Sequence, residues 1–164
     1  MFQVSRFKIQ ENGFSLIELI IIIAISIILA TIGVLNLFNY REYKDLDMTV
    51  NEIISTLRVA RNYSISQESI VSGLGQKWGV HFENNEYILF RGIDYDDPGK
   101  TIVSRSVLRS TIEFKPPMPT PRNIIFDPVT GELNGSYSNT IEVLLKSNPS
   151  NFKTITVDQN GKIY

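Results

Sequence analysis

One carboxylate sits where a carboxylate is costly. Glu18 is the only formal charge in the run from Phe14 to Phe38, FSLIELIIIIAISIILATIGVLNLF. On insertion scales a charge near the bilayer centre costs roughly 2.5–3.5 kcal/mol, and less near the interface. Such an acid is read as a functional group that has a partner, and a free amine is the simplest partner. Three other places offer chemistry. His81, the one histidine, stands between Val80 and Phe82. In that setting it reads as a packed or surface strand residue and not as a catalyst. Asp94, Asp96 and Asp97 are oxygen donors in the stretch DYDDPGK. Their spacing lacks the regular ligand pattern of a calcium loop, and Pro98-Gly99 marks a turn, so a solvated acidic turn is the reading. Basic residues recur late in the chain, at Arg105, Arg109, Lys115, Arg122, Lys146, Lys153 and Lys162.

Composition removes other chemistries. The 164 residues contain no cysteine, which excludes disulfides, thiolate metal sites and cysteine nucleophiles. Lys+Arg is 16 against 17 for Asp+Glu, so no sequence-wide charge pulls the chain toward nucleic acid or acidic lipid. No paired histidines and no glycine-rich phosphate loop occur. The chain is read as not an enzyme, with no cofactor and no metal.

The elements around Glu18 follow from hydropathy. As a helix rising about 1.5 Å per residue, Phe14 to Phe38 extends about 37 Å, enough for a hydrocarbon core of about 30 Å. In lipid the backbone must bond to itself, which makes the segment helical despite its many isoleucines. Arg6 and Lys8 precede the run, while Arg41 and Lys44 follow it among acids, a mild bias toward an N-terminus inside. A secretory signal peptide would have a shorter apolar region and an Ala-x-Ala-like site. A plain anchor accounts for the length but not for Glu18. A chain cut between Gly13 and Phe14 accounts for both, because the new amine of Phe14 on one subunit can face Glu18 of its neighbour.

Gly13-Phe14-Ser15-Leu16-Ile17-Glu18-Leu19, after a short basic leader and before a long apolar helix, resembles the processing motif of type IV prepilins and type II secretion pseudopilins. The resemblance implies that a prepilin peptidase cuts after Gly13 and N-methylates Phe14. It implies that Glu18 drives assembly, and that the apolar helix anchors the subunit in the inner membrane before packing in a filament core. The partners implied are other pilins or pseudopilins, the peptidase, the inner-membrane assembly platform and, before assembly, the lipid bilayer. Many relatives carry a proline in the apolar run. Here only Gly33 and Asn36 soften it.

Past Phe38 the helical period persists in polar sequence. Leu46, Val50, Ile53, Leu57, Ala60 and Ser64 recur at spacings of three and four, widened by Ile54. One helix is expected from Ser15 to Gln67, with Ser72-Gly73-Leu74-Gly75 closing it. The period then becomes two. Strands are expected at 79–82, 87–90, 102–108, 111–114, 123–126, 141–145 and 152–157, with the last two joined through Ser147-Asn148-Pro149-Ser150. Pro116, Pro117, Pro119 and Pro121 make a stiff loop. The fold class is α+β, a long N-terminal helix packed on a C-terminal antiparallel sheet or small sandwich. The domain plan is 1–13 leader, 14–38 transmembrane and filament-core helix, 39–72 amphipathic continuation and 73–164 extracytoplasmic head.

Two further segments refine the resemblance. The end of the helix, Leu57-Arg58-Val59-Ala60-Arg61, and the ending Ile155 to Ile163 with its Asn160-Gly161 turn resemble GspH/FimT-type minor pseudopilins. The absence of a cysteine-closed loop points the same way. The function expected is that of a structural subunit of a type II secretion pseudopilus or type IV pilus. The alternative is a minor pilin that binds DNA for natural transformation. Lys146, Lys153 and Lys162 would serve it, but three separated lysines are thin for a phosphate-binding stripe.

Overall fold

The computed structural model describes residues 13–66, 76–116, 122–134 and 139–164. The basic leader residues, the Ser72–Gly75 helix stop, most of the proline loop and the side chains of Gly33, Asn36 and Arg122 lie outside the described residues. Helix α1 runs Leu16–Ser66. Seven strands follow among the described residues: β1 Trp78–Glu83, β2 Glu86–Arg91, β3 Thr101–Val107, β4 Ile112–Phe114, β5 Arg122–Phe126, β6 Asn139–Leu145 and β7 Asn148–Val157. The chain divides into two compact units after Tyr40.

The second unit, Arg41–Tyr164, holds the core. Its strands form a four-stranded sheet, β3-β2-β1-β5, and a three-stranded sheet, β4-β6-β7. Every pairing is antiparallel. The expected stripe of α1 is the buried face: Leu46, Val50, Ile53, Leu57, Ala60 and Ser64 are all buried. It shares one apolar cluster with Val80, Phe82, Ile124 and Phe126 of the first sheet and with Ile141, Val143 and Ile155 of the second. Tyr63 rests on Trp78, with ring centroids 4.7 Å apart. Phe82 meets Phe114 edge-on across the two sheets at 5.6 Å. Aromatic pairs in such geometry add to what burial of their area already contributes.

The polar member of the stripe has a physical reason. Ser64 is fully buried and donates its hydroxyl to the Phe126 carbonyl at 2.8 Å, so this buried donor has its partner. The polar flank of α1 is tied down as well. Arg109 reaches Glu52 at 2.7 Å and the Thr49 hydroxyl at 2.7 Å, and Lys153 reaches Asp47 at 2.6 Å. Glu52, hydrogen-bonded to Arg109, pushes that guanidinium's pKa up from its ordinary value.

Most element bounds differ from the sequence reading by one or two residues, and the largest difference is at the start of the last strand. Strand β7 begins at Asn148, so only Lys146 and Ser147 turn the last hairpin, and Pro149 lies inside the strand. A proline is tolerated there because β7 is an edge strand and its missing N–H costs no ladder bond. The register also shifts between Leu144 and Leu145, which absorbs the extra residues as an irregularity.

Candidate assembly site

The site built from Gly13, Phe14 and Glu18 lies at the start of α1. Gly13, Phe14 and Ser15 are non-helical, and the helix begins at Leu16. Ser15 stands at the N-cap. Its N–H donates to Glu18 Oε2 at 3.4 Å, and Leu19 N–H donates to the Ser15 carbonyl at 3.2 Å. Ser15-Leu16-Ile17-Glu18 thus has the spacing of a capping box, in which the acid at the third helical position covers a donor that the helix leaves open. The positive end of the helix dipole also favours a carboxylate there. The sequence reading missed this second task of Glu18, although Ser-x-x-Glu before an apolar run is its signature.

Gly13 is not demanded by the described fold. A Cβ added there would meet nothing within 4 Å. Contrast Gly161, whose φ is +73° and whose added Cβ would collide with the Gly131 carbonyl oxygen and lie 2.8 Å from Arg61 Nε. One glycine is required by packing. The other has no steric task among the described residues.

From Phe14 to Thr31 every residue of the first unit is exposed, including Phe14 at 76% and Leu16 at 76%. The polar side chains of this stretch keep their donors inside the helix. Ser26 donates to the Ile22 carbonyl at 2.8 Å and Thr31 to the Ile27 carbonyl at 2.8 Å. Such back-bonding lets a hydroxyl sit in apolar surroundings without a water partner. Among the described residues no helix is long and apolar enough to cross a membrane.

The other candidate groups are placed in the second unit. His81 is buried at 1% exposure, with Nδ1 2.5 Å from Asn123 Oδ1 and Nε2 3.3 Å from Glu83 Oε1. Its ring stacks on Tyr95 at 3.5 Å, with an interplanar angle of 5°. It is a packed strand residue that pins the 94–99 turn against β1. Asp94 accepts from the Asn123 amide at 2.6 Å and from Tyr95 N–H at 2.6 Å, while Asp97 accepts from Gly99 N–H at 2.9 Å. These carboxylates serve the turn. Among the described residues no group of three or more histidines or acids gathers as a metal site.

Several of the late basic residues are engaged by groups of the same chain. Arg105 pairs with Glu86, Lys115 with Glu142 and Lys153 with Asp47, each within 3.0 Å. Lys146 donates to the Ser110 carbonyl at 3.0 Å. The Ala60-Arg61 pair has a structural explanation. Ala60 is fully buried, and Arg61 donates to the carbonyls of Gly131 at 3.2 Å and Asn160 at 3.3 Å, joining two turns to the helix.

A long helix whose C-terminal half packs on antiparallel sheets is the fold of a pilin. The chain is similar in structure to the type IV minor pilin FimU of Pseudomonas aeruginosa (strain PAO1), seen in a crystal structure in space group P21, with a TM-score of 0.58. The alignment covers 76% of this chain and 90% of that one, at 14% sequence identity. No family model matches the chain, and no curated protein matches it.

Proposed function

We propose that the chain is a minor pilin or pseudopilin of GspH/FimT type, a structural subunit of a type IV pilus or type II secretion pseudopilus. One observation carries the reading. The helix that starts two residues after Phe14 is exposed and apolar through Thr31, with Glu18 as its only carboxylate and its hydroxyls bonded within the helix. Contiguous apolar surface of that extent calls for lipid or another protein around it. The subunit is inserted once in the inner membrane, with its C-terminal head extracytoplasmic. A prepilin peptidase cuts after Gly13 and methylates the Phe14 amine. That amine then takes Glu18 of a neighbouring subunit, and the capping bond to Ser15 gives Glu18 a resting partner until it does.

The chain acts by assembly and not by catalysis; the motor is elsewhere. DNA capture has weaker support, because Lys153, Lys115 and Arg105 are each engaged by a carboxylate of the same chain.

The test is the intact mass of the full chain expressed with and without a prepilin peptidase. The expected product lacks Met1–Gly13 and carries one added methyl group. A full-length product beside an active peptidase would leave an anchored domain and sink the processing reading.

A further inference from the structure

Among the described residues five cations of the head pair with its own acids, and one cluster of cations in space is an exception. Lys77 pairs with Asp127, Arg105 with Glu86, Arg109 with Glu52 and Asp45, Lys115 with Glu142, and Lys153 with Asp47. The exception is a pocket of about 320 Å³ lined by Arg58, Arg61, Asn62, Gly161, Lys162 and Ile163. Three cations and one amide line it and, among the described residues, no carboxylate does. Arg58 is exposed and, among the described residues, has no ion pair or hydrogen bond. Arg61 uses two N–H groups on the carbonyls of Gly131 and Asn160. A guanidinium has five, and among the described residues no carboxylate takes up the rest. Lys162 places its ammonium over the Tyr164 ring at 4.6 Å, and no acid pairs with it among the described residues. The acid of that turn, Asp158, is taken up by Lys162 N–H at 2.8 Å and the Tyr164 hydroxyl at 3.3 Å.

Such a gathering is unfavourable without an anion. Arg58 and Arg61 are three apart on one helix face, and like charges at that spacing repel. The helix dipole does not account for them, because it acts within the last turn and the last turn of α1 holds no basic residue. The pocket is also held in place. Gly161 comes so close to Gly131 and Arg61 that no side chain fits. The neighbouring turn keeps Val129 at φ 71°, an outlier for a β-branched residue. Val129 N–H donates to the Ser64 carbonyl at 3.1 Å, which fixes this turn to the end of α1. Around the cations lie exposed apolar side chains, Val129 at 59%, Tyr164 at 59% and Ile65 at 38%.

We infer that this pocket is an oxyanion site that receives an aspartate or glutamate side chain of a partner subunit. Guanidinium groups grip a carboxylate in a fixed geometry, and arginine with apolar neighbours is the usual make-up of a protein contact. A nucleic-acid backbone is disfavoured because it needs a run of free cations, and the cations elsewhere in the head are largely engaged. The assignment rests on the assembly reading for the source of the carboxylate, but the pocket itself is tested without a filament.

The experiment titrates the full chain in detergent with a dye-labelled aspartate-rich peptide, its asparagine counterpart and a duplex oligonucleotide, reading fluorescence anisotropy. Arg58→Glu and Lys162→Glu are the variants, since both side chains are exposed and neither holds the fold. The aspartate peptide should bind, the asparagine peptide should not, and each variant should weaken binding about tenfold, as expected for loss of a charge-assisted hydrogen bond. No binding of the aspartate peptide would overturn the proposal. So would binding that survives both substitutions, or duplex binding that depends on the same two residues while the peptide fails. A normal processing mass with no peptide binding would remove the pocket and leave the assembly reading standing.

Discussion

The two halves of helix α1 solve opposite problems with the same backbone. From Leu46 to Ser64 the stripe Leu46, Val50, Ile53, Leu57 and Ala60 keeps one face, and that face is buried against both sheets. From Phe14 to Thr31 the apolar residues go all the way round, and every one is exposed. The first arrangement is complete within the chain. The second is incomplete, because a helix hydrophobic on all sides belongs in a core or a membrane. The polar residues draw the same contrast. Ser64 bonds across to a strand carbonyl, whereas Ser26 and Thr31 bond back into their own helix. Stability is therefore expected to live in the second half and association in the first.

The strongest way to break that contrast is to hollow the buried half. Ile53→Ala removes a fully buried side chain, and it should cost the head about 2–5 kcal/mol. Denaturant unfolding followed by the Trp78 fluorescence checks it. Next comes Gly161→Ala, which puts a side chain at φ +73° against the Gly131 carbonyl. A loss of about 1–3 kcal/mol is expected, read in the same way. Arg109→Ala should cost less, about 1 kcal/mol or below, because the guanidinium is partly in solvent.

A pH effect sharpens the picture of the core. Burial is the main reason the Tyr87 phenol has its pKa raised above the ordinary 10.0, with Glu52 adding to it and bonds to Ser106 and Thr56 opposing it. The folded state thus favours the neutral phenol. That contribution is complete below the unfolded value and is lost as pH rises through the folded value. Tyr87→Phe should flatten the fall in stability above about pH 10, measured by melting temperature across that range. The smallest expected effect is the most telling: Ile22→Ala should leave head unfolding unchanged within about 0.5 kcal/mol, since Ile22 is exposed.

Much of this was legible in the residues. The stripe Leu46–Ser64 has a period that only a one-sided helix satisfies, and it named the buried face correctly, down to Ser64. The strands showed through their alternation and their bounding turns. What stayed hidden depends on contacts distant in sequence. The division of the strands into two sheets puts β5 beside β1 and β4 beside β6, and no local pattern encodes that. Pro149 read as loop because a strand proline is acceptable only at an edge, and edges are a property of the whole sheet. Glu18 was read for its cost in lipid, and its cap on Ser15 was overlooked although the spacing announces it. Arg58 and Lys162 are far apart in the chain, so their shared pocket is a tertiary fact.

The proposed function requires the first half of α1 to be covered by lipid or by other subunits. The sequence has no cysteine, so single cysteines can be placed without background. The decisive measurement compares Ile23→Cys with Ser55→Cys, both exposed in the isolated chain, by labelling with a water-soluble maleimide. It is made on intact cells expressing the full chain and again on sheared filaments. Ser55→Cys is expected to react, and Ile23→Cys to stay unlabelled in both preparations until detergent is added. Equal labelling of Ile23→Cys and Ser55→Cys before detergent would contradict it.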